Sequence, residues 1–239
     1  MNSNMNNKVN IDRRDFLATA AALSAAGAAG VAGATELQDG GGFIPLDWGK
    51  TRFAVNIEMW RFGGAPHHDK IRAAAKLGFP AVEFWPWRGK NLDEIAKACD
   101  ETGVEVAQFI GWGFSPGMND PKNHDRLEKE IAASIVAAKK LKARKLTVVA
   151  GNDQPGMTQE QMHENVIAGL KRVAPMAEDA QVMLILEPMN IRVDHKGHCL
   201  YGSPDAVRIC REVDSTHVKI NWDLYHMQIS EGDLCGRLA

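Results

Sequence analysis

The sequence predicts an α/β fold built as a (β/α) barrel, with acidic side chains at one end of its strands. Apolar strand patterns alternate with helical patterns from residue 52 to residue 239, which is typical of βαβ units around a parallel sheet. Residues 182–186 (VMLIL) are apolar without alternation, as expected of a strand buried on both faces. This strand ends on Glu187, and the next strand pattern ends on Asp223. Carboxylates at the carboxyl ends of consecutive parallel strands lie where a barrel has its active site.

The strands and helices follow one another in a regular order. We predict strands at residues 53–57, 81–85, 104–110, 145–150, 182–187 and 218–222. Helices are predicted at residues 69–77, 92–101, 124–141, 158–180 and 203–213, and a sixth is predicted to open at residue 232.

Capping residues mark the ends of several of these helices. Asn91 is expected to cap the second helix and Gly103 to end it. Thr158 and Gln161 have the spacing of a capping box at the start of the fourth helix. Ser203 precedes a proline, which is the pattern of a cap followed by the first helical residue of the fifth helix.

Two architectures are compatible with this order of elements. A doubly wound sheet would place a phosphate-binding glycine loop after the first strand, and residues 58–64 (EMWRFGG) lack the GxGxxG spacing. A barrel predicts a polar residue where each strand ends, and such residues are present: Glu58, Glu83, Gln108, Asn152, Glu187 and Asp223. The barrel is therefore favoured.

The number of βα units is smaller than a closed barrel requires. Eight units and about 250 residues are typical, whereas the sequence has about six units between residues 51 and 239. We therefore expect an incomplete barrel domain at residues 51–239, with the chain truncated at its carboxyl end.

The first 34 residues have the layout of a signal peptide. Arg13 and Arg14 precede an aromatic and aliphatic pair, and an alanine- and glycine-rich run closes on small residues at positions 32–34. This pattern predicts export through the twin-arginine (Tat) pathway to the periplasm or the outside of the cell. The alternative is an uncleaved membrane anchor, but a run so poor in Leu, Ile and Val is a weak membrane helix. Residues 35–50 are predicted to form a flexible leader.

Composition excludes some classes of partner. The formal net charge is −2, so no basic field is available to attract nucleic acid. The four cysteines are scattered without CxxC spacing, and a disulfide framework is not expected in a chain of this length. We expect a small-molecule ligand, no nucleic-acid partner and no stable membrane insertion, and leave homo-oligomerisation open.

Glu187, Asp223 and His226 are the candidate metal site. Two hard oxygen ligands with an imidazole nearby suit a divalent cation. We expect Mg²⁺, Mn²⁺ or Co²⁺ ahead of Zn²⁺. A single glutamate at a strand end is more often a loop cap or an ion-pair partner. The equivalent positions of Glu187 and Asp223 in adjacent units, with His226 three residues further on, favour a site.

Two stretches carry a family resemblance. Residues 186–195 (LEPMNIRVDH) and 222–228 (WDLYHMQ) resemble the hydroxypyruvate isomerase family of the xylose isomerase-like TIM-barrel superfamily. Residues 56–59 (NIEM) and 78–84 (GFPAVEF) look like the first two strands of that family. The superfamily also contains ketose 3-epimerases and inosose dehydratases, which are the alternatives for this chain.

The resemblance implies a metal-dependent isomerase of a sugar or a hydroxy-keto acid. It implies that Glu187 is a metal ligand and also the acid/base that moves a proton, that Asp223 is a metal ligand, and that His226 binds substrate oxygens. The metal stabilises the enediolate that forms when a proton leaves the carbon beside the carbonyl. The family takes two further metal ligands from strands 7 and 8, so an inactive truncated member is a further alternative.

Three more residues of the family-like stretch are candidate substrate contacts. Asn190 and Arg192 are placed to orient a carboxylate or hydroxyl groups of the substrate. His195 is a candidate because it lies in the same stretch, but the lysine- and glycine-containing loop also predicts that His195 and His198 are solvated. His67, at the start of the first helix, is predicted to face solvent.

A nuclease of the endonuclease IV type is a rival hypothesis. Such nucleases share the barrel and use a similar glutamate and Asp-x-x-His pattern. They also need histidines at the ends of strands 2 and 3, where this sequence has residues 85–87 (WPW) and Gln108. The negative net charge argues in the same direction, since a nucleic-acid ligand is held mainly by basic side chains.

Overall fold

The structure is a computed structural model that describes residues 52–60 and 64–238. The predicted signal peptide at residues 1–34 and the leader at residues 35–50 lie outside the described residues. Among the helices that are described, none is both long enough and apolar enough to cross a membrane.

The described strands form one parallel sheet in which each strand pairs with the next along the chain. The strands are β1 (Ala54–Asn56), β2 (Ala81–Pro86), β3 (Glu105–Trp112), β4 (Lys145–Val149), β5 (Met183–Glu187) and β6 (Val218–Ile220). Pairing in chain order is that of a (β/α) barrel, whereas a doubly wound sheet reverses its strand order at a switch point. The predicted α/β barrel fold, with six βα units in the described residues, is confirmed.

Helices connect the strands and pack against the outer face of the sheet. They are α1 (His67–Lys76), α2 (Leu92–Thr102), α3 (His124–Leu141), α4 (Gln159–Ala180), α5 (Ser203–Val213), α6 (Leu224–Ser230) and α7 (Leu234–Leu238). The predicted caps of α2 and α4 are confirmed: Asn91 accepts the N–H of Glu94, and Thr158 and Gln161 form a reciprocal capping box. These caps satisfy N–H groups that the first helical turn leaves without a partner.

The sequence did not predict α6, which begins directly after Asp223. One carboxylate oxygen of Asp223 accepts the N–H groups of Tyr225 and His226, so the aspartate caps this helix. The helix has only seven residues, too few for an amphipathic period to be visible. Asp223 therefore has a structural role at the same time as its proposed chemical one.

The predicted cap at Ser203 is wrong. The N-cap of α5 is Gly202, and the Ser203 hydroxyl instead hydrogen-bonds Glu231 and accepts the indole N–H of Trp222. These partners lie far along the chain, and for that reason the local sequence did not reveal them.

The apolar core lies between the sheet and the helices. Phe84 on β2 and Phe109 on β3 are almost fully buried, and their rings stack with centroids 5.4 Å apart. Burial of large aromatic side chains in this layer stabilises the sheet, since removing one such ring costs about 3–5 kcal/mol. The core fixes the relative positions of the strand ends that carry the candidate site.

The inner face of the sheet carries a chain of polar side chains. Glu83 accepts hydrogen bonds from Asn56 at 3.0 Å and from Gln108 at 2.5 Å, and Gln108 in turn accepts the hydroxyl of Thr147 at 3.1 Å. Glu83 and Gln108 were predicted at strand ends, but they lie inside β2 and β3, where they pair with each other in the sheet. Val149 pairs with Glu187 and Thr147 with Ile185, so this polar layer lies one side-chain layer below Glu187.

Candidate active site

Three ligand-type side chains meet at the carboxyl edge of the sheet. Glu187 is the last residue of β5, Asp223 caps α6 just after β6, and His226 lies in the first turn of α6. The two strands are neighbours in the sheet, so their carboxyl ends meet. One ligand atom from each residue lies within 4.8 Å of the others. The structure therefore brings together the three residues that the sequence singled out.

The two carboxylates repel each other, with Glu187 partly buried and Asp223 partly exposed. Burial, followed by the charge of Asp223, raises the pKa of Glu187 to about 7, and the carboxylate of Glu83 acts in the same direction. A hydrogen bond from the Asn221 side chain opposes the shift. The repulsion between two such carboxylates is relieved either by a proton or by a bound cation.

The donor set fits a divalent cation. Carboxylate oxygens are the preferred ligands of hard cations such as Mg²⁺ and Mn²⁺, and an imidazole is also acceptable to Co²⁺ and Zn²⁺. In the part of the chain that the structure describes, Glu187, Asp223 and His226 are the group of three such side chains close enough to hold an ion. Glu187 and Asp223 would supply oxygen ligands to it.

His226 is buried, and Asn190 contacts the Nδ1 edge of its ring. Its Nδ1 atom is 2.8 Å from the Nδ2 atom of Asn190, and its Nε2 atom is 4.0 Å from Oδ2 of Asp223. Burial lowers the pKa of His226, although the nearby charge of Asp223 works against this shift. The ring is therefore neutral over more of the pH range than an exposed histidine, and its Nε2 edge faces the carboxylate.

Asn190 is fully buried and is occupied by protein partners. Its Oδ1 accepts the N–H groups of Val193 and Asp194, and its Nδ2 contacts Asp194 and His226. The amide therefore lies behind His226 and supports it. Its predicted contact with the substrate stays a prediction.

Arg192 and His195 lie on the same loop with different surroundings. Arg192 is exposed, and no hydrogen bond or ion pair of its guanidinium is found within the described residues. His195 is half-buried; its ring stacks on Phe114 with centroids 4.8 Å apart and meets His226 edge-on at 5.2 Å. His195 thus contacts the three-residue site through the ring of His226. Its contact with a substrate stays a prediction.

The prediction that His198 is solvated is wrong. Its side chain is 1% exposed, its Nδ1 is 2.7 Å from the carbonyl oxygen of Leu200, and its Nε2 accepts the N–H of Gly151. Burial lowers the pKa of His198 to about 4. The loop sequence did not reveal this burial because the Gly151 partner follows a different strand.

His67 also does not face solvent. Its Nε2 is 3.0 Å from the carboxylate of Glu58, which forms an ion pair with Lys90 at 2.7 Å. The strand-end residue Glu58 is therefore engaged by two basic side chains and does not belong to the three-residue site. This arrangement connects the ends of β1 and β2.

Several residues of the site were missed at the sequence level. Asn221 hydrogen-bonds Glu187, and the Tyr225 hydroxyl donates to Asp194 at 2.7 Å. Asn221 lies in the strand-end pattern before Asp223, which was a usable signal. Asp194 and Tyr225 are 31 residues apart, so no local pattern connects them.

The fold and the site define a (β/α)-barrel protein with an acidic, cation-compatible site at the carboxyl ends of its strands. The profile of the family described as Xylose isomerase-like TIM barrel matches residues 71–238. This match covers more than half of the chain, and the chain belongs to that family.

Relatives of the chain include two proteins that are named as isomerases. The chain is 27% identical to hydroxypyruvate isomerase of Escherichia coli, over 79% of this chain and 74% of the relative. It is 28% identical to 2-oxo-tetronate isomerase of Cupriavidus necator, over 78% of this chain and 74% of the relative.

Solved structures show the same fold. A protein described as an AP endonuclease of family 2 from Brucella melitensis superposes with a TM-score of 0.72 at 24% identity, covering 78% of this chain and 74% of that one. The IolI protein, whose structure is described with a bound zinc atom, has a TM-score of 0.64 at 14% identity, with coverages of 77% and 66%. At these identities the likeness concerns the fold alone.

Proposed function

We propose that this protein is an isomerase of a hydroxy-keto acid or a related sugar and that it uses a divalent cation held by Glu187 and Asp223. The observation that carries the proposal is the convergence of Glu187, Asp223 and His226 within 4.8 Å at the carboxyl edge of the sheet. The names of the two isomerase relatives support the reaction class.

Glu187 is the proposed acid/base. Isomerisation beside a carbonyl removes a proton from one carbon and returns it to its neighbour, and a positioned carboxylate contributes about 10²–10⁴-fold to such a step. Without a cation the pKa of Glu187 is raised to about 7, and with a cation on one of its oxygens the other oxygen would accept and return the proton. A divalent cation, when bound, supplies Lewis-acid polarisation of the carbonyl.

The surrounding side chains would orient the substrate. His226 presents its Nε2 edge on the side of Asp223 and would contact a substrate oxygen. Arg192 is exposed on the adjacent loop, and a guanidinium is well suited to hold a carboxylate through two hydrogen bonds. A hydroxy-keto acid has both groups, a reacting carbonyl and a carboxylate.

Solvent deuterium exchange tests the proposal directly. The purified protein is incubated in D₂O with hydroxypyruvate or a four-carbon hydroxy-keto acid in the presence of Mg²⁺, Mn²⁺ or Co²⁺, and NMR follows both product and deuterium. We expect deuterium at the carbon beside the carbonyl, and its loss in Glu187→Gln. No exchange with any of these substrates and metals, in a folded protein, would refute this function.

A nuclease function has less support than an isomerase function. In the described residues, Trp85 and Trp87 lie at the end of β2, and Gln108 lies inside β3, where it is engaged by Glu83 and Thr147. A multi-zinc cluster would require further ligands at these positions, so we do not extend the name of the structural neighbour to this chain. The alternatives that stay open are a ketose 3-epimerase, an inosose dehydratase-like enzyme and an inactive family member. Repeated with a ketose and with an inosose as substrates, the deuterium experiment separates the last of these from the others.

A further inference from the structure

The orientation of the Asn190 side chain is fixed by the loop that follows it. Two backbone N–H groups, those of Val193 and Asp194, point at its Oδ1 atom, each at 3.1 Å. Only an oxygen can accept from two donors, so this atom is the carbonyl oxygen of the amide. The other atom, Nδ2, is therefore the NH₂ group, which can only donate.

The two hydrogens of that NH₂ group have two partners. Nδ2 lies 3.0 Å from the carboxylate oxygen Oδ2 of Asp194 and 2.8 Å from Nδ1 of His226. A carboxylate accepts, and the second contact is a hydrogen bond only if Nδ1 of His226 also accepts. A neutral imidazole whose Nδ1 accepts has its proton on Nε2.

We propose that Asn190 is a positioning residue that holds His226 in the Nε2–H tautomer, so that the ring offers a proton donor to the site instead of a lone pair for the metal. This inference rests on the proposed function for its consequence in catalysis, but the tautomer itself is a property of the protein without any ligand.

Asp194 and Tyr225 stabilise this arrangement. The Tyr225 hydroxyl donates to the same Oδ2 atom of Asp194, at 2.7 Å. Hydrogen bonds from Asn190 and Tyr225 lower the pKa of Asp194, so its carboxylate stays ionised and keeps accepting. Asn190 cannot rotate to offer its oxygen to His226 without placing that oxygen against this carboxylate and leaving two backbone N–H groups unpaired, each a cost of about 1–3 kcal/mol if buried.

With this tautomer, two side chains of the site bind the cation and the third donates a hydrogen bond to the substrate. A metal ligand must present a lone pair, which the Nε2 atom lacks when it is protonated. Glu187 and Asp223 then bind the cation with oxygen atoms only, which favours hard cations over Zn²⁺. The Nε2–H group, 4.0 Å from Asp223, donates to a substrate oxygen, where developing negative charge is stabilised by a fixed donor.

The same protein contains a natural reference for the opposite tautomer. The Nε2 atom of His198 accepts the N–H of Gly151 at 3.3 Å, and its Nδ1 faces the carbonyl oxygen of Leu200 at 2.7 Å. The N–H of Leu200 also lies 3.2 Å from Nδ1, but the Gly151 donor at Nε2 and the shorter contact of Nδ1 with a carbonyl oxygen together assign the proton to Nδ1. Two buried histidines of one chain are thus expected to give opposite nitrogen signatures in one spectrum.

The test is a double exchange of side chains, Asn190→Asp together with Asp194→Asn. The exchange conserves charge and keeps an oxygen at position 190 for the N–H groups of residues 193 and 194. It also keeps a hydrogen bond between positions 190 and 194, with its direction reversed. The atom facing Nδ1 of His226 becomes an acceptor, and the Tyr225 hydroxyl, which donates to Asp194 in the unmodified protein, must accept from the new amide at position 194. The protein is labelled with ¹⁵N-histidine, and its nitrogen shifts are recorded without metal at about pH 8, above the ordinary pKa of histidine.

In the unmodified protein we expect His226 to show the Nε2–H pattern and His198 the Nδ1–H pattern. In the double variant His226 should change to Nδ1–H while His198 stays unchanged. The ratio of Zn²⁺ to Mg²⁺ affinity, measured by calorimetry, should rise about tenfold or more, the usual size of effects from residues behind a metal ligand.

Two results would overturn the inference. One is an Nδ1–H pattern for His226 in the unmodified protein. The other is an unchanged His226 pattern in a double variant that retains the melting temperature of the unmodified protein, which would mean that Asn190 only shapes its loop. A failure of the proposed function gives a different result, the expected tautomers in a protein that exchanges no substrate deuterium.

Discussion

Glu187 and Asp223 face each other from the ends of two hydrogen-bonded parallel strands, and no basic side chain among the described residues forms an ion pair with Glu187. The charge of Asp223 and burial together raise the pKa of Glu187 to about 7. A pair of carboxylates in this situation gains stability from a cation, because the cation removes the repulsion that burial intensifies.

Removing either charge should weaken metal binding. For Glu187→Gln and Asp223→Asn we expect metal affinity to fall at least tenfold, measured by calorimetry, since each replacement removes a charged oxygen ligand. In Glu187→Gln we also expect kcat to fall by about 10² or more, because the acid/base is lost. Unchanged metal content in both variants after dialysis would rule out the assignment.

A matched control uses the same substitution far from the site. Glu128 lies on α3 and pairs with Arg172 at the surface. Glu128→Gln should change stability by no more than about 1 kcal/mol, the usual size of a surface ion pair, and should leave metal affinity unchanged. A loss of metal binding in this control would show that the assay reports non-specific effects.

Stabilisation by metal should depend on pH. A carboxyl whose folded-state pKa is raised to about 7 holds a proton that competes with the cation below that pH. The increase in melting temperature caused by Mg²⁺ or Mn²⁺ should therefore be larger at about pH 8 than at about pH 6. In the metal-free protein, the melting temperature should change with pH in the opposite direction. Ionising this partly buried group costs stability as pH rises from its ordinary pKa towards 7. A metal-induced shift that is equal at both pH values would contradict the prediction.

His198 should make the fold sensitive to acid. Its folded-state pKa of about 4 lies below the ordinary value of 6.5, so the unfolded chain binds a proton over a range in which the folded protein does not. The contribution of His198 to stability is present above pH 6.5 and is lost as pH falls to about 4, a change of about 3 kcal/mol. Denaturant unfolding at a series of pH values measures this loss.

The variant His198→Asn separates this effect from other titrating groups. Asparagine can still donate to the carbonyl of Leu200, but it leaves the N–H of Gly151 without its partner. We expect the free energy of unfolding of the variant to be about 1–3 kcal/mol lower at neutral pH. Between pH 6.5 and 4 it should decrease less than in the unmodified protein. An equally steep decrease in the variant would show that other groups cause the acid sensitivity.

Glu83 should affect both stability and the metal site. In Glu83→Gln one amide donor, from either Asn56 or Gln108, loses its acceptor, which should cost about 1–3 kcal/mol. The lost negative charge should also reduce metal affinity several-fold, since this carboxylate acts on Glu187. In the double exchange Glu83→Gln with Gln108→Glu, the hydrogen-bond directions match again. We expect the double variant to recover the stability of the unmodified protein. If its unfolding curve instead matched that of Glu83→Gln, the hydrogen-bonding role of Glu83 would be contradicted.

The sequence determined the fold class and the residues of the candidate site. Parallel strands show continuous apolar runs, and helices show caps such as Asn91 and the pair Thr158 and Gln161, because these signals arise from neighbours in the chain. Carboxyl ends of parallel strands necessarily share one edge of the sheet. The placement of Glu187 and Asp223 at strand ends was therefore enough to predict that they would meet.

Only the tertiary structure decided how the side chains are held. The burial of His198, the engagement of His67 by Glu58, and the support of His226 by Asn190 depend on contacts between segments that are distant in sequence. Such contacts set the pKa values and the histidine tautomers, because burial and hydrogen-bond partners determine which protonation state is stable. The residue types of the site can thus be read from local pattern, whereas their chemical states follow from packing between loops.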